Sequence, residues 1–395
     1  MSRIKIFNAK IITPYRIINN GSVLVENGLI VNVQEGNPQY DGASLIDANG
    51  KYVSPGFIDI HIHGGGGSDF MDCEEDAFLK IAETHAKYGT TSLMPTTLSC
   101  EHDELITTLK LYSDAELKNQ NGARFVGMHI EGPYFAMNQR GAQDPRYIRE
   151  PDPKEYEAIV AQTDVIKRWS AAPEIKGALE FAKFLKSKNI LPALAHTDAI
   201  YDEVLEGFEH GYILATHLYS GMSSVTRRNA YRYAGAVESA FLIDDMFVEV
   251  IADGCHLPAP LLKLIYKIKG ADRIALITDA MRGAGMPEGN SILGSKNNGL
   301  EVIIEDGVAK LPDRTSFAGS VATADRLVRN MIQLAGVPIT DAIKMITTTP
   351  ATILGIQDET GSLVAGKIAD LVIFDENINI NTTIVKGKVV YTSKN

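Results

Sequence analysis

His61 and His63 stand one residue apart at the end of Pro55-Gly56-Phe57-Ile58-Asp59-Ile60-His61-Ile62-His63 and run straight into Gly64, Gly65, Gly66 and Gly67. In a strand, residues i and i+2 project from one face, so both imidazoles would point at one spot, and the glycines end the strand there. Further ligand-type residues recur along the chain as His129-Ile130-Glu131-Gly132-Pro133, His196-Thr197-Asp198, His217-Leu218-Tyr219, Asp253-Gly254-Cys255-His256 and Asp279-Ala280. Imidazole nitrogens with carboxylate oxygens in an open set suit Zn²⁺; Fe²⁺, Mn²⁺ or Co²⁺ are also compatible, because ligand type alone does not select the metal. Glu131 belongs to this set on energetic grounds, since a carboxylate beside Gly132-Pro133 at the floor of a fold is costly to bury unless paired or metallated. His129 shares a face with Glu131 and reads as a supporting or packing residue.

Each of these residues closes an apolar run. Eight such runs alternate with helical patterns: Phe57 to Ile62, Thr91 to Met94, Arg124 to Ile130, Ile166 to Ala171, Ile190 to Ala195, Tyr212 to Thr216, Phe247 to Ala252 and Ile274 to Thr278. Amphipathic helices are expected over Ala77 to Tyr88, Gly177 to Lys188 and Leu261 to Lys269. Strands alternating with helices indicate parallel βα units, and eight units close a (β/α)8 TIM barrel, whose active site lies at the C-terminal strand ends. Six of the runs end in ligand-type side chains; the second and fourth end in Pro95-Thr96-Thr97 and Pro173-Glu174, which read as bend and rim.

The two chain ends differ from this middle. Short alternating strands are expected at Ile4 to Phe7, Val23 to Val25 and Ile30 to Val33, and again within Ala369 to Phe374 and Thr383 to Tyr391. Neither end has enough strands to bury two faces alone, so residues 1–54 and 355–395 are expected to build one small β-sandwich domain beside a barrel of residues 55–354.

The 395 residues carry a formal charge of −11 and no long basic run, which gives no electrostatic footprint for nucleic acid or an anionic membrane. Cys73, Cys100 and Cys255 are odd in number and widely spaced, without a CxxC pair, against a disulfide framework or a thiolate zinc site. The first residues lack a signal-type apolar core and no apolar run approaches the roughly 20 residues of a membrane helix, so the cytoplasm is the expected compartment.

The blocks PGFIDIHIHGGGG, MHIEGPYF, GAQDP, AHTDA, THLYSGM, IADGCH, ITDAM, FAGS and GKIADLVIFD together resemble the metal-dependent amidohydrolase superfamily and, within it, the family of N-acetylglucosamine-6-phosphate deacetylases. The resemblance implies that Glu131, His196 and His217 hold the principal divalent metal and that His61 and His63 allow a second. It implies hydrolysis of the N-acetyl group of an amino-sugar phosphate, with Asp279 taking the proton of the attacking water and returning it to the departing nitrogen, and His256 binding substrate or polarising its carbonyl. The phosphate grip is implied at Arg228 or its neighbour Arg227, at the amides of Ser220 and Gly221, and at the turn from Asp253 to His256. Ala142 and Gln143 in the GAQDP block, with Phe317, Ala318 and Gly319, are implied to contact the sugar. A homodimer is implied too, with the arginine of the polar loop 223–233 crossing to its neighbour's site.

Two departures bear on the substrate. Family members read HLYNAM or HLFNAM where this chain has His217-Leu218-Tyr219-Ser220-Gly221-Met222, and Met281-Arg282-Gly283-Ala284 adds a cation beside Asp279. The galactosamine epimer or another N-acyl amino sugar therefore stays open as substrate. A cyclic-amide hydrolase or aminohydrolase of the same superfamily would use the same barrel, but many of those bridge two metals with a lysine on the fourth strand, where this chain has Ala171-Ala172-Pro173-Glu174. A non-catalytic scaffold is disfavoured by the complete ligand set with Asp279.

Overall fold

The structure, a computed structural model, describes residues 2–394. Its centre is a ring of eight parallel strands: β1 (Phe57–Ile62), β2 (Thr90–Pro95), β3 (Met128–Glu131), β4 (Ile166–Ala171), β5 (Leu191–Leu194), β6 (Leu214–Ala215), β7 (Phe247–Val250) and β8 (Ile274–Leu276). Strands β3 to β8 pair in chain order, and β1 pairs with β2. The bridge between Thr96 and His129 carries the ring from β2 to β3, and the amide of Asp279 closes it by donating to the carbonyl of His61 at 3.0 Å. All eight expected runs are strands of this ring, as a TIM barrel requires.

Strand alternation sorts the side chains. On β1, Ile58, Ile60 and Ile62 pack among apolar residues while Asp59, His61 and then His63 take the opposite face. On β4, Trp169 packs outward against Phe181 of the helix Ala178–Ser187 at 5.1 Å, and its neighbours Arg168 and Ser170 turn into the barrel. The covering helices bury their apolar stripes, as with Phe78, Ile81 and Ala82 of Glu75–Ala86 and Leu262 and Ile265 of Ala259–Lys269.

Arg3–Ile12, Ile17–Glu26, Leu29–Glu35, Ser44–Asp47 and Tyr52–Pro55 join Leu371–Phe374, Ile380–Val385 and Lys388–Thr392 in one eight-stranded sheet around Ile6, Ile11, Val23, Val53, Leu371 and Ile384. Its hydrogen bonding runs continuously through strands from both chain ends. The reason is Tyr52–Pro55, which pairs with the first strand on one side and with Leu371–Phe374 on the other, so the two chain ends share a strand.

Two further elements were not expected. A three-stranded antiparallel sheet (Gly289–Leu293, Leu300–Glu305, Val308–Lys310) follows β8 and packs Leu293, Val302, Ile304 and Ala309 against Met281 and Ala318. The polar loop 223–233 is a hairpin of Thr226–Arg228 and Tyr231–Tyr233, turned by Asn229 and Ala230, which both have positive φ. No helix among the described residues is long and apolar enough to cross a membrane.

Only Gly56 separates the shared strand from β1. A Cβ there would lie 2.1 Å from Thr91 Oγ1, so no larger residue fits without displacing β2. The small sheet is also tied to the barrel by Asp370, whose buried carboxylate pairs with Arg124 at 2.9 Å and accepts the amide of Lys386 at 2.8 Å. Removing the carboxylate leaves a largely buried guanidinium without its partner. Asp370→Ala is expected to lower stability by about 2–3 kcal/mol, below the value for a fully buried pair because Arg124 retains some exposure. A fall in the urea midpoint at unchanged slope checks it, and an unaltered midpoint would show that the contact contributes nothing.

Candidate metal centre and active-site cavity

The ligand-type side chains meet at the C-terminal mouth of the barrel in two groups, His61 with His63 and Asp279, and Glu131 with His196 and His217; within each, the donor atoms lie within 4.8 Å of one another. Glu131 links the groups. Its Oε1 lies 3.0 Å from His217 Nε2, 3.4 Å from His196 Nε2 and 3.5 Å from His61 Nε2, while Oε2 lies 3.4 Å from His63 Nε2. Asp279 Oδ1 lies 3.1 Å from His63 Nε2 and 3.5 Å from His61 Nε2. All six side chains are buried.

Local backbone geometry aims three of them. His196, His217 and Asp279 follow β5, β6 and β8 within three residues and have φ of 46°, 32° and 48°, the left-handed region that non-glycine residues avoid. Such a residue costs on the order of 1–3 kcal/mol and persists only where its surroundings over-determine it. The ring orientations are also set. His196 Nδ1 donates to the carbonyl of Gln139 at 2.8 Å and His217 Nδ1 to that of Ser220 at 3.1 Å, which leaves both Nε2 lone pairs facing Glu131. His61 Nδ1 lies 3.2 Å from a carboxylate oxygen of Glu249.

The electrostatics match a cation. Burial alone would keep His61 neutral, but the charges of Glu131 and Asp279 push it up to about 9, and His63 is raised well above its ordinary range in the same way. Burial opposes ionisation of Glu131 and Asp279, yet the neighbouring imidazoles hold both carboxyls below their usual range. Groups that draw protons onto buried imidazoles in this way also attract a divalent ion, whose charge answers the same carboxylates. The donor set, four imidazoles and two carboxylates, is of the type that binds Zn²⁺ and related metals.

His129 is excluded from it. Its Nε2 pairs with Ser170 Oγ at 2.7 Å and its Nδ1 with Thr96 Oγ1 at 3.2 Å, so both nitrogens are engaged, and burial with the nearby Arg168 charge keeps the ring neutral.

The groups face a cavity of about 510 Å³, which is also lined by Ala142, Gln143, Ser220, Gly221, His256, Phe317 and Gly319. Gln143 donates to Glu131 Oε2 at 2.9 Å, and Asp253 sits behind His256, holding its Nδ1 at 2.7 Å. Ala318 is buried beneath the turn it shares with Phe317 and Gly319. Arg228 is not among the lining residues; it stands in the exposed hairpin with its guanidinium 5.6 Å from the Tyr233 ring centroid.

Sequence reasoning missed Leu293 and Lys310 of the insert, Arg314, Thr315 and Ser316 in the turn that follows it, and Leu98 and Tyr219. The alternation Leu300-Glu301-Val302-Ile303-Ile304 before the Glu305-Asp306-Gly307 turn is a strand signal that would have found the insert. It also passed over Arg168 and Glu249, whose signal is a charge inside an apolar strand.

These contacts separate ligand from support. His196→Ala is expected to lower the metal content of the purified chain, whereas His129→Ala should leave it unchanged and lower stability by about 1–3 kcal/mol. Elemental analysis with a thermal scan checks both; loss of metal from the His129 variant at full folding would place that ring among the ligands.

Comparison with known proteins agrees with this architecture. Residues 52–390 match the model of the amidohydrolase family. An N-acetylglucosamine-6-phosphate deacetylase of Vibrio furnissii is 33% identical over 370 residues, covering 93% of this chain and 89% of the relative. An N-acetylgalactosamine-6-phosphate deacetylase of Escherichia coli O157:H7 is 33% identical over 88% of this chain and 89% of its own length. The crystal structure of N-acetylglucosamine-6-phosphate deacetylase from Pasteurella multocida superposes with a TM-score of 0.92 at 27% identity, over 99% of this chain and 100% of that one. The chain belongs to the amidohydrolase family and groups there with the amino-sugar-phosphate deacetylases it resembles over nearly its whole length.

Proposed function

We propose that this chain hydrolyses the N-acetyl group of N-acetylglucosamine 6-phosphate, releasing acetate and glucosamine 6-phosphate. The observation that carries the reading is the meeting of Glu131, His196, His217, His63 and Asp279 at one cavity with His61 buried beside them, in a chain that matches such deacetylases over nearly its whole length. The residues fit a divalent metal, with Glu131, His196 and His217 as one ligand set and His61, His63 and Asp279 available for a second. Zn²⁺ suits the nitrogen-rich donors best. Bound there, the metal supplies Lewis acidity, which lowers the pKa of water toward roughly 7 and polarises a carbonyl.

The chain's own groups do the rest. Asp279 lines the cavity and its carboxyl lies below the usual range, so it is ionised near neutrality and able to take the proton of the attacking water. Carrying that proton, it is placed to return it to the departing nitrogen, without which an amine is a very poor leaving group. His256 has Nδ1 tied to Asp253, which leaves Nε2 for the substrate, and Phe317 packs on the His256 ring at 4.6 Å between centroids to form an apolar wall for the sugar. Gln143 steadies Glu131 beside Ala142.

The phosphate requires a cation that the metal groups do not supply. Arg228 lies outside the cavity of its own chain, in a hairpin with Val225, Tyr231 and Tyr233 exposed, so it fits a role across the boundary of a homodimer. Its planar fork suits bidentate phosphate binding.

Acetate release from phosphorylated and unphosphorylated N-acetylglucosamine and N-acetylgalactosamine tests the activity; turnover of neither phosphate would overturn it, and preference for the galactosamine ester would move it to the epimer. Asp279→Asn should keep fold and lose turnover by a factor on the order of 10² or more, because the amide can neither take the proton nor return it. Near-wild-type turnover would remove Asp279 from the mechanism. Mixing Arg228→Ala chains with Asp279→Asn chains should restore part of the activity, since a hybrid dimer holds one site with both residues intact. No recovery from a verified heterodimer would put the grip in the same chain, where Lys310 and Arg314 line the cavity.

A further inference from the structure

Beneath the ligands lies a second charged layer that the proposed chemistry does not use. Arg168 of β4 and Glu249 of β7 are both fully buried and form an ion pair inside the barrel. Arg168 Nη1 also donates to the carbonyl of Ile60 at 3.1 Å, and Nη2 to Thr216 Oγ1 at 2.7 Å. Each acceptor is the residue immediately before a ligand, His61 and His217. The second carboxylate oxygen of Glu249 accepts from His61 Nδ1 and from the amide of His217, both at 3.2 Å. One oxygen therefore touches a member of each ligand group.

A buried ion pair is a weak source of stability, because desolvation of both charges offsets their attraction and well-packed apolar residues often serve as well. Stability does not account for hydrogen bonds spent on the flanks of two ligands. We propose that Arg168 and Glu249 are positioning residues for the metal centre, orienting His61 with its proton on Nδ1 and its Nε2 lone pair toward His63 and Asp279. The other groups show why the effect is unequal. His196 and His217 have their rings held by backbone carbonyls, and His63 Nδ1 has no partner among the described residues, so Glu249 is the one side chain that orients a ring in the His61, His63 and Asp279 group. The binding of a second ion by that group depends on the pair; binding at Glu131, His196 and His217 does not. Arg168 contributes by pinning the carboxylate, whose rotamer would otherwise be free to leave the imidazole.

The inference rests on the metal-dependent reading of the site, and its test involves no substrate, so failure of the deacetylase assignment and failure of this proposal are distinguishable. The full chain, stripped of metal, is titrated with Zn²⁺ by equilibrium dialysis against a competing chelator, and with Co²⁺ while its visible spectrum is recorded. The variants are Glu249→Gln and the double change Arg168→Met with Glu249→Gln, which removes the charges together and leaves no lone buried cation. Both are expected to keep one tight ion and to bind the second about 10–100-fold more weakly, with the matching part of the Co²⁺ spectrum lost. Unchanged affinity for the second ion, equal weakening of both ions, or a wild-type chain that binds a single ion would each overturn the proposal. Failure of both variants to fold would overturn it too, since the pair would then be a requirement of the fold.

Discussion

A single carboxylate, Glu131, is buried at the mouth of the barrel with four imidazoles within 3.5 Å of its two oxygens. A lone charge in that position would be strongly unfavourable. The remainder of the site can be understood as the set of contacts that make it tolerable. Gln143 and His63 occupy one oxygen, the other three imidazoles crowd the second, and the burial that penalises the carboxylate also strengthens its attraction for anything positive placed among them. A protein that assembles such a cluster has arranged a strong preference for a divalent cation before any ion arrives.

That arrangement requires precision from elements far apart in the chain. The six candidate ligands come from the ends of β1, β3, β5, β6 and β8, and three of them stand in left-handed backbone where each strand leaves the barrel. The parallel ring makes this possible because every strand ends on the same rim, so six side chains separated by up to 218 positions, from His61 to Asp279, converge without any long excursion. Below them, Arg168, Thr216, Ser170, His129 and Thr96 form a connected polar layer across the interior. Such a layer is rigid when satisfied, and rigidity is what a metal site needs to hold its donors against the strain of their own backbone.

The substrate side of the cavity is built differently. Lys310, Arg314 and Phe317 come from the insert after β8 and the turn that follows it, and Ser220 and Gly221 from the loop after β6. Loops carried on a barrel can change without disturbing the ring beneath. The departures from the family pattern at Ser220, Gly221 and Arg282 fall in the loops that follow β6 and β8, while the candidate ligands beneath them are all present.

What the amino-acid order determined by itself was the barrel and the set of candidate ligands at its mouth. Apolar runs of strand length alternate with helical stripes, and polar residues at their ends have few uses in a buried position other than binding or catalysis, so local pattern and energetic cost together pointed to His61, His63, Glu131, His196, His217 and Asp279. The assignment of His129 to a supporting role followed from its sharing a face with Glu131, and the hydroxyls of Ser170 and Thr96 give the physical basis. Only the tertiary structure decided the rest. That Tyr52–Pro55 is shared by both chain ends, joining them in one continuous sheet, depends on pairing between residues more than 300 positions apart, which no local pattern encodes. That Arg228 stands outside its own cavity while Lys310 and Arg314 line it depends on where the hairpin and the insert fold relative to the mouth. And that Glu249 reaches both His61 and His217 depends on β1, β6 and β7 facing one another inside a closed ring, a proximity that exists only after the barrel has formed.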